Sequence, residues 1–281
     1  MDAGGGVRGI YGAAVFDWCI EKDIRFDWAA GVSAGAANVA TYMSKQFGRN
    51  YRYYYTYSQR KEYMSLKNYV RSGSYIDMEY VYGTLSNEGG EYPMDYDTFA
   101  ASDTDFVVVA TDADTGKPDY LDGNAIRRNE YQAFMATCSV PVVNRPYEMN
   151  GKRYYDGAIS DPLPLDKALE AGCDKIVVIL TRPRDFIRKP DKDRVLAKLI
   201  EKKYPAAAAA FAGRAYLYNE KILQAKELEM QGKALIVAPD DIGDLDTLSR
   251  DPEALRRLYI KGLKDARAIG RFLEEASPAE D

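Results

Sequence analysis

Apolar residues recur along this chain in two textures. Short continuous runs read as buried strands, and longer stretches with apolar positions at helical spacing read as helices. Residues 9–21 place Ile10, Ala13, Ala14, Phe16 and Ile20 at helical spacing. Residues 26–32 form a short apolar run, and residues 34–47 follow as a helix rich in small side chains. The run Phe106-Val107-Val108-Val109-Ala110-Thr111 is a buried strand by its β-branched content. A turn at residues 114–118 lets residues 119–121 pair back as a hairpin. Residues 131–138 read as a helix stopping before Pro141, and residues 152–155 as a short strand running into Asp156. A helix over 162–171 has Gly172 just past its end, and residues 175–181 make another central strand.

Strands alternating with helices predict a three-layer α/β/α sandwich with a mostly parallel sheet covered on both faces. Past residue 181 the texture changes. Residues 182–194, rich in Arg, Lys, Asp and Pro, read as an exposed linker. Helices over 192–203 and 206–231, a strand over 234–238 and a final amphipathic helix over 252–272 follow. The expected organisation is an α/β domain over 1–185 and a mainly helical region over 186–281 packed on it. Between Tyr51 and Tyr82 tyrosine is dense. Two readings stand: a helix whose rings pack on the core, or an aromatic wall beside an acyl pocket.

Composition narrows the class. With 46% apolar and 29% charged residues in 281, the chain can bury a sizeable core. A net charge of −5 gives no global attraction to nucleic acid. Cys19, Cys138 and Cys173 are widely spaced and read as reduced, buried thiols. With no histidine and no clustered cysteines, neither a metal site nor any other cofactor is expected. No secretory signal is visible, and no run approaches the roughly 18 apolar residues that span a bilayer. A cytoplasmic protein is expected.

The segment Gly31-Val32-Ser33-Ala34-Gly35 has the form of a nucleophile elbow. An apolar run precedes it and a helix follows, which points the hydroxyl outward over a helix N-terminus. The base that usually serves such a serine is missing, because the chain has no histidine. A carboxylate is the remaining candidate, and Asp156-Gly157-Ala158 follows a strand in a suggestive place. Within hydrogen-bond reach of Ser33, Asp156 could take the hydroxyl proton directly, with Gly157 leaving room for substrate. The loop Gly4-Gly5-Gly6-Val7-Arg8-Gly9 formally matches a dinucleotide fingerprint, with Asp23 and Asp27 downstream. The following strand ends in the serine elbow rather than in an acidic residue, which favours an oxyanion loop of unhindered N–H groups. Such a loop normally follows a strand, for which the three residues before Gly4 leave little room.

In this order, GGGVRG, GVSAG, Ala136-Thr137-Cys138-Ser139-Val140-Pro141, and Tyr155-Asp156-Gly157-Ala158 with Pro162 and Pro164 resemble the patatin-like phospholipases over residues 1–181. The resemblance implies Ser33 as nucleophile and Asp156 as base. It implies an oxyanion loop of Gly4, Gly5, Gly6 and Arg8, in which Gly5 and Gly6 donate and Arg8 anchors the loop or an anionic head group. The implied activity is hydrolysis of lipid carboxylic esters, with transient membrane-surface contact. Acyl transfer or thioester cleavage by the same dyad, and lipid binding without catalysis, are the alternative readings.

Overall fold

The computed structural model describes residues 1–274; residues 275–281, the end of the region expected to be mainly helical, lie outside the described residues. The first half runs α1 (Ile10–Glu21), β1 (Trp28–Val32), α2 (Ala34–Met43), α3 (Arg49–Tyr55), α4 (Leu66–Ser72), α5 (Tyr96–Ala100), β2 (Asp105–Asp112), β3 (Pro118–Asp122) and α6 (Gln132–Thr137). Then come β4 (Tyr147–Met149), β5 (Lys152–Asp156), α7 (Leu165–Glu170), β6 (Ile176–Ile179), α8 (Asp191–Glu201), α9 (Pro205–Met230), β7 (Ala234–Val237), α10 (Pro252–Asp265) and α11 (Arg267–Glu274).

A parallel spine carries the sheet. β1 runs parallel to β2, and β6 parallel to β7. Residues 1–3 join the two halves. Asp2 N–H donates to Ala30 O (2.9 Å) and Asp2 O accepts from Val32 N–H (3.0 Å), while Ile179 N–H donates to Met1 O (2.9 Å). The slot ahead of the glycine loop, too short on paper for a strand, is therefore filled by three residues bonded on both sides. β3, β5 and β4 add antiparallel pairs.

One detail of register positions the site. Residues 107–109 of β2 pair with both β1 and β3, and residues 110–111 with both β3 and β5. β1 and β5 therefore share one edge of β2 and run toward each other. Their last residues, Val32 and Asp156, sit opposite the adjacent Val109 and Ala110. Two segments more than a hundred residues apart thus end at one point.

The three layers follow from the period-two alternation of the strands. In β6, Val177 and Ile179 join the core of α1 and α10 with Ile10, Val15, Leu255 and Leu258. Ile176 and Val178 face the opposite way, onto Ile222, Ala225 and Leu228 of α9. The C-terminal region thus supplies both β7 at the sheet edge and a cover for α1. Gly262 of α10 lies so close to Tyr11 that an added Cβ would stand 2.6 Å from its carbonyl oxygen. Asp251 caps α10 by accepting from Ala254 N–H (3.1 Å), with Pro252 at the first helical position. The single helix expected over 252–272 is interrupted by a tight turn, Ile269 N–H to Ala266 O at 2.9 Å, which separates α10 from α11. The tyrosine-rich stretch is likewise no single helix. Ser65 opens α4, Gly73 at φ +76° closes it, and an antiparallel bridge between Met64 and Ile76 pins its base.

Candidate active site

Ser33 caps α2 at φ 55°, ψ −131°, a conformation that costs a non-glycine residue about 1–3 kcal/mol. The flanking glycines are there for space. A Cβ on Gly31 would lie 2.3 Å from Ala36 Cα, and one on Gly35 would lie 2.2 Å from Asp2 O. The strained turn is held by Thr137, whose Oγ1 accepts Ser33 N–H at 2.8 Å and donates to Val109 O. A buried hydroxyl on α6 thus ties the elbow to the middle strand.

The glycine loop crosses directly over this elbow. Gly4, Gly5 and Gly6 all have positive φ, at 63°, 131° and 61°. Gly4 does not offer its N–H to the site: it donates to Asp2 Oδ1 at 2.8 Å, and its carbonyl accepts from the Thr181 hydroxyl. The N–H groups of Gly5 and Gly6 meet no acceptor among the described residues. Asp2 is itself held by Asn38, whose Nδ2 donates to Asp2 Oδ2 at 2.8 Å and to Gly9 O at 2.9 Å. Arg8 is buried, and Nη1 donates to the Thr247 hydroxyl at 3.3 Å. Burial and the neighbouring Arg182 bring the Arg8 guanidinium down to about 9.

Asp156 ends β5 with its backbone fixed on two sides. Its N–H donates to Ser139 O at 2.9 Å, and its carbonyl accepts from the Thr111 hydroxyl at 2.8 Å. Oδ1 accepts from Ala158 N–H at 2.9 Å. Gly157 is required by the backbone packed against it: an added Cβ would lie 2.1 Å from Val109 O. Burial pushes the Asp156 carboxyl above the ordinary carboxylate range, while the Ser33 hydroxyl, Ala158 N–H and the more distant Arg214 and Arg188 pull it back. Ser33 and Asp156 are thus close enough to influence each other. Arg188 and Arg214 are fixed in turn by the buried Asp193, through Nε contacts of 2.8 and 3.1 Å. The linker expected to be exposed therefore carries a buried ion pair.

Beside Ser33 lies a cavity of about 50 Å³, lined by Val7, Tyr54, Tyr63, Met64, Tyr82 and Cys138 among others. The tyrosine rings divide between core and cavity. Tyr53 and Tyr57 pack in a satellite core, whereas Tyr54, Tyr63 and Tyr82 face the cavity. Cys138 Sγ lies 3.2 Å from the Tyr82 hydroxyl. Burial pushes its thiol up to about 12, which keeps it protonated at neutral pH.

Sequence reasoning missed Thr137, Asp2, Asn38, Thr181 and the contribution of Thr247. Thr137 was within reach, since it lies in the ATCSVP segment that carries the resemblance. The others announce themselves only through contacts made across the sheet.

An elbow serine, a facing aspartate and an unhindered glycine loop on an α/β/α frame are the marks of a patatin-like hydrolase. The patatin-like phospholipase family model matches residues 3–169, and the chain belongs to that family. Residues 204–276 match a second model, described as a domain of unknown function, DUF6363. The chain is 29% identical over 192 residues to the uncharacterized protein YjjU of Escherichia coli (strain K12). That match takes in 66% of this chain and 52% of YjjU, so the chain spans about half the length of that curated relative.

Proposed function

We propose that this protein hydrolyses carboxylic esters of lipids through Ser33 and Asp156. The supporting observation is the head-on meeting of β1 and β5, which brings Asp156 beside Ser33, while Ser33 itself opens on a cavity whose other lining is largely apolar. Ser33 Oγ attacks the acyl carbonyl while Asp156 accepts its proton. Gly5 and Gly6 N–H receive the oxyanion, each donor contributing about 3–4 kcal/mol to transition-state stabilisation. The positive end of α2 lies beneath. Collapse expels the alcohol, which takes the proton from Asp156. A water deprotonated by Asp156 then attacks the acyl-enzyme, releasing the fatty acid and restoring the serine hydroxyl.

Gly4 and Arg8 act as supports in this reading: the first as the hinge bound to Asp2, the second as a tie between the loop and Thr247. The test is release of fatty acid from phospholipid and monoacyl esters by the wild type, Ser33→Ala and Asp156→Asn. Loss of release in both variants supports the reading. Unchanged release by Ser33→Ala refutes it.

A further inference from the structure

The cavity beside Ser33 has a wall that does not come from the patatin-like region. Thr247 and Leu248, in the segment between β7 and α10, line it together with Gly6, Val7 and Ser33. That segment is fastened at three points. Val7 N–H donates to Thr247 O at 3.0 Å, Arg8 Nη1 donates to Thr247 Oγ1 at 3.3 Å, and Arg250 donates to Met64 O. Its own backbone is held by Asp246, whose Oδ1 accepts from Leu248 N–H at 2.8 Å. Leu248 is half-buried and packs against the main core, whereas Tyr54, Met64 and Val81 on the opposing walls are buried outright. Leu248 is therefore a lining side chain whose size can change with less disturbance of the core than theirs.

We infer that the 240–250 segment of the C-terminal region forms a wall of the acyl pocket, with Leu248 limiting the acyl-chain length the enzyme accepts. The cavity, about 50 Å³, is a short-chain space in this closed arrangement. This gives a role to a region whose family description assigns none. It rests on the ester-hydrolase reading above.

The test compares kcat/KM for p-nitrophenyl octanoate and p-nitrophenyl butyrate. Leu248→Ala opens the wall, and each methylene newly buried is worth about fourfold in rate. The octanoate-to-butyrate ratio should rise about fifteenfold, from roughly two such methylenes. Leu248→Trp, or Leu248→Phe if tryptophan lowers the unfolding midpoint, should lower the ratio. A ratio unchanged in folded, active variants of both kinds overturns the inference alone. Absence of turnover by the wild type, with no fluorophosphonate adduct on Ser33, overturns the hydrolase reading and this inference with it.

Discussion

Thr137→Val is the sharpest probe of how the elbow is held. The substitution keeps shape and volume but removes the oxygen that accepts Ser33 N–H at 2.8 Å and donates to Val109 O. Both partners are buried, and each is left unsatisfied at about 1–3 kcal/mol, so a total loss of about 2–6 kcal/mol is expected. The strain stored at Ser33, φ 55° and ψ −131°, then has one restraint fewer. Thr137→Ser is the control: it retains the hydroxyl and gives up one methyl, a loss of about 1 kcal/mol. Two readouts are needed. Urea unfolding gives the stability change, and the rate at which a fluorophosphonate acylates Ser33 reports the elbow geometry. Valine should slow acylation by about tenfold or more, since displacement of a reacting atom by about 1 Å costs up to about a hundredfold. Serine should restore most of the rate. If valine leaves both stability and acylation at wild-type values, the hydroxyl does not hold the elbow and the argument fails.

Three other outcomes are expected. Gly157→Ala would place a Cβ 2.1 Å from Val109 O, forcing Asp156 away from Ser33; ester turnover should drop steeply while Gly172→Ala, whose Cβ would meet nothing within 4 Å, keeps it. Asp156 must be ionised to act as base, and burial raises its pKa. Activity should therefore fall as pH drops through a single limb lying above the usual carboxylate range, and a limb at or below pH 4 in kcat would contradict the assignment. Asp17, buried between α1 and α10, accepts from Tyr259 OH at 2.6 Å and is pushed up to about 6 by burial. The folded state then binds the extra proton between the ordinary 3.8 and about 6, so stability falls by up to about 3 kcal/mol as pH rises across that window. Asp17→Asn should flatten this dependence in denaturation curves measured from pH 4 to 7; an equally steep variant would contradict it.

The legibility of the chain follows the range of its interactions. Local sterics made the elbow readable: Gly31 and Gly35 are small because Ala36 and Asp2 press against them. The strands were readable because β2 and β6 are buried on both faces and need continuous β-branched runs. The crowding at Gly157 was not legible, since nothing local says that the β2 backbone presses against it. The tie that holds Gly4 went unseen for a similar reason. Its N–H is taken by Asp2, two residues away, and that contact exists only because residues 1–3 are held between β1 and β6. The tyrosine-rich stretch divides its rings between core and cavity already within α3, where adjacent Tyr53 and Tyr54 face different ways, and its chain then breaks at Ser65 and Gly73, which helical spacing alone does not weigh. Thr247 and Leu248 carry no motif at all, and only the tertiary path of the chain puts them beside Ser33.

The central claim is that a buried aspartate activates Ser33 without histidine. The most direct measurement is mass-spectrometric localisation of a fluorophosphonate adduct on the folded wild type and on Asp156→Asn. The account predicts an adduct on Ser33 that is largely lost in the variant. An adduct formed equally well without the Asp156 carboxylate, or no adduct on the folded wild type, would contradict it.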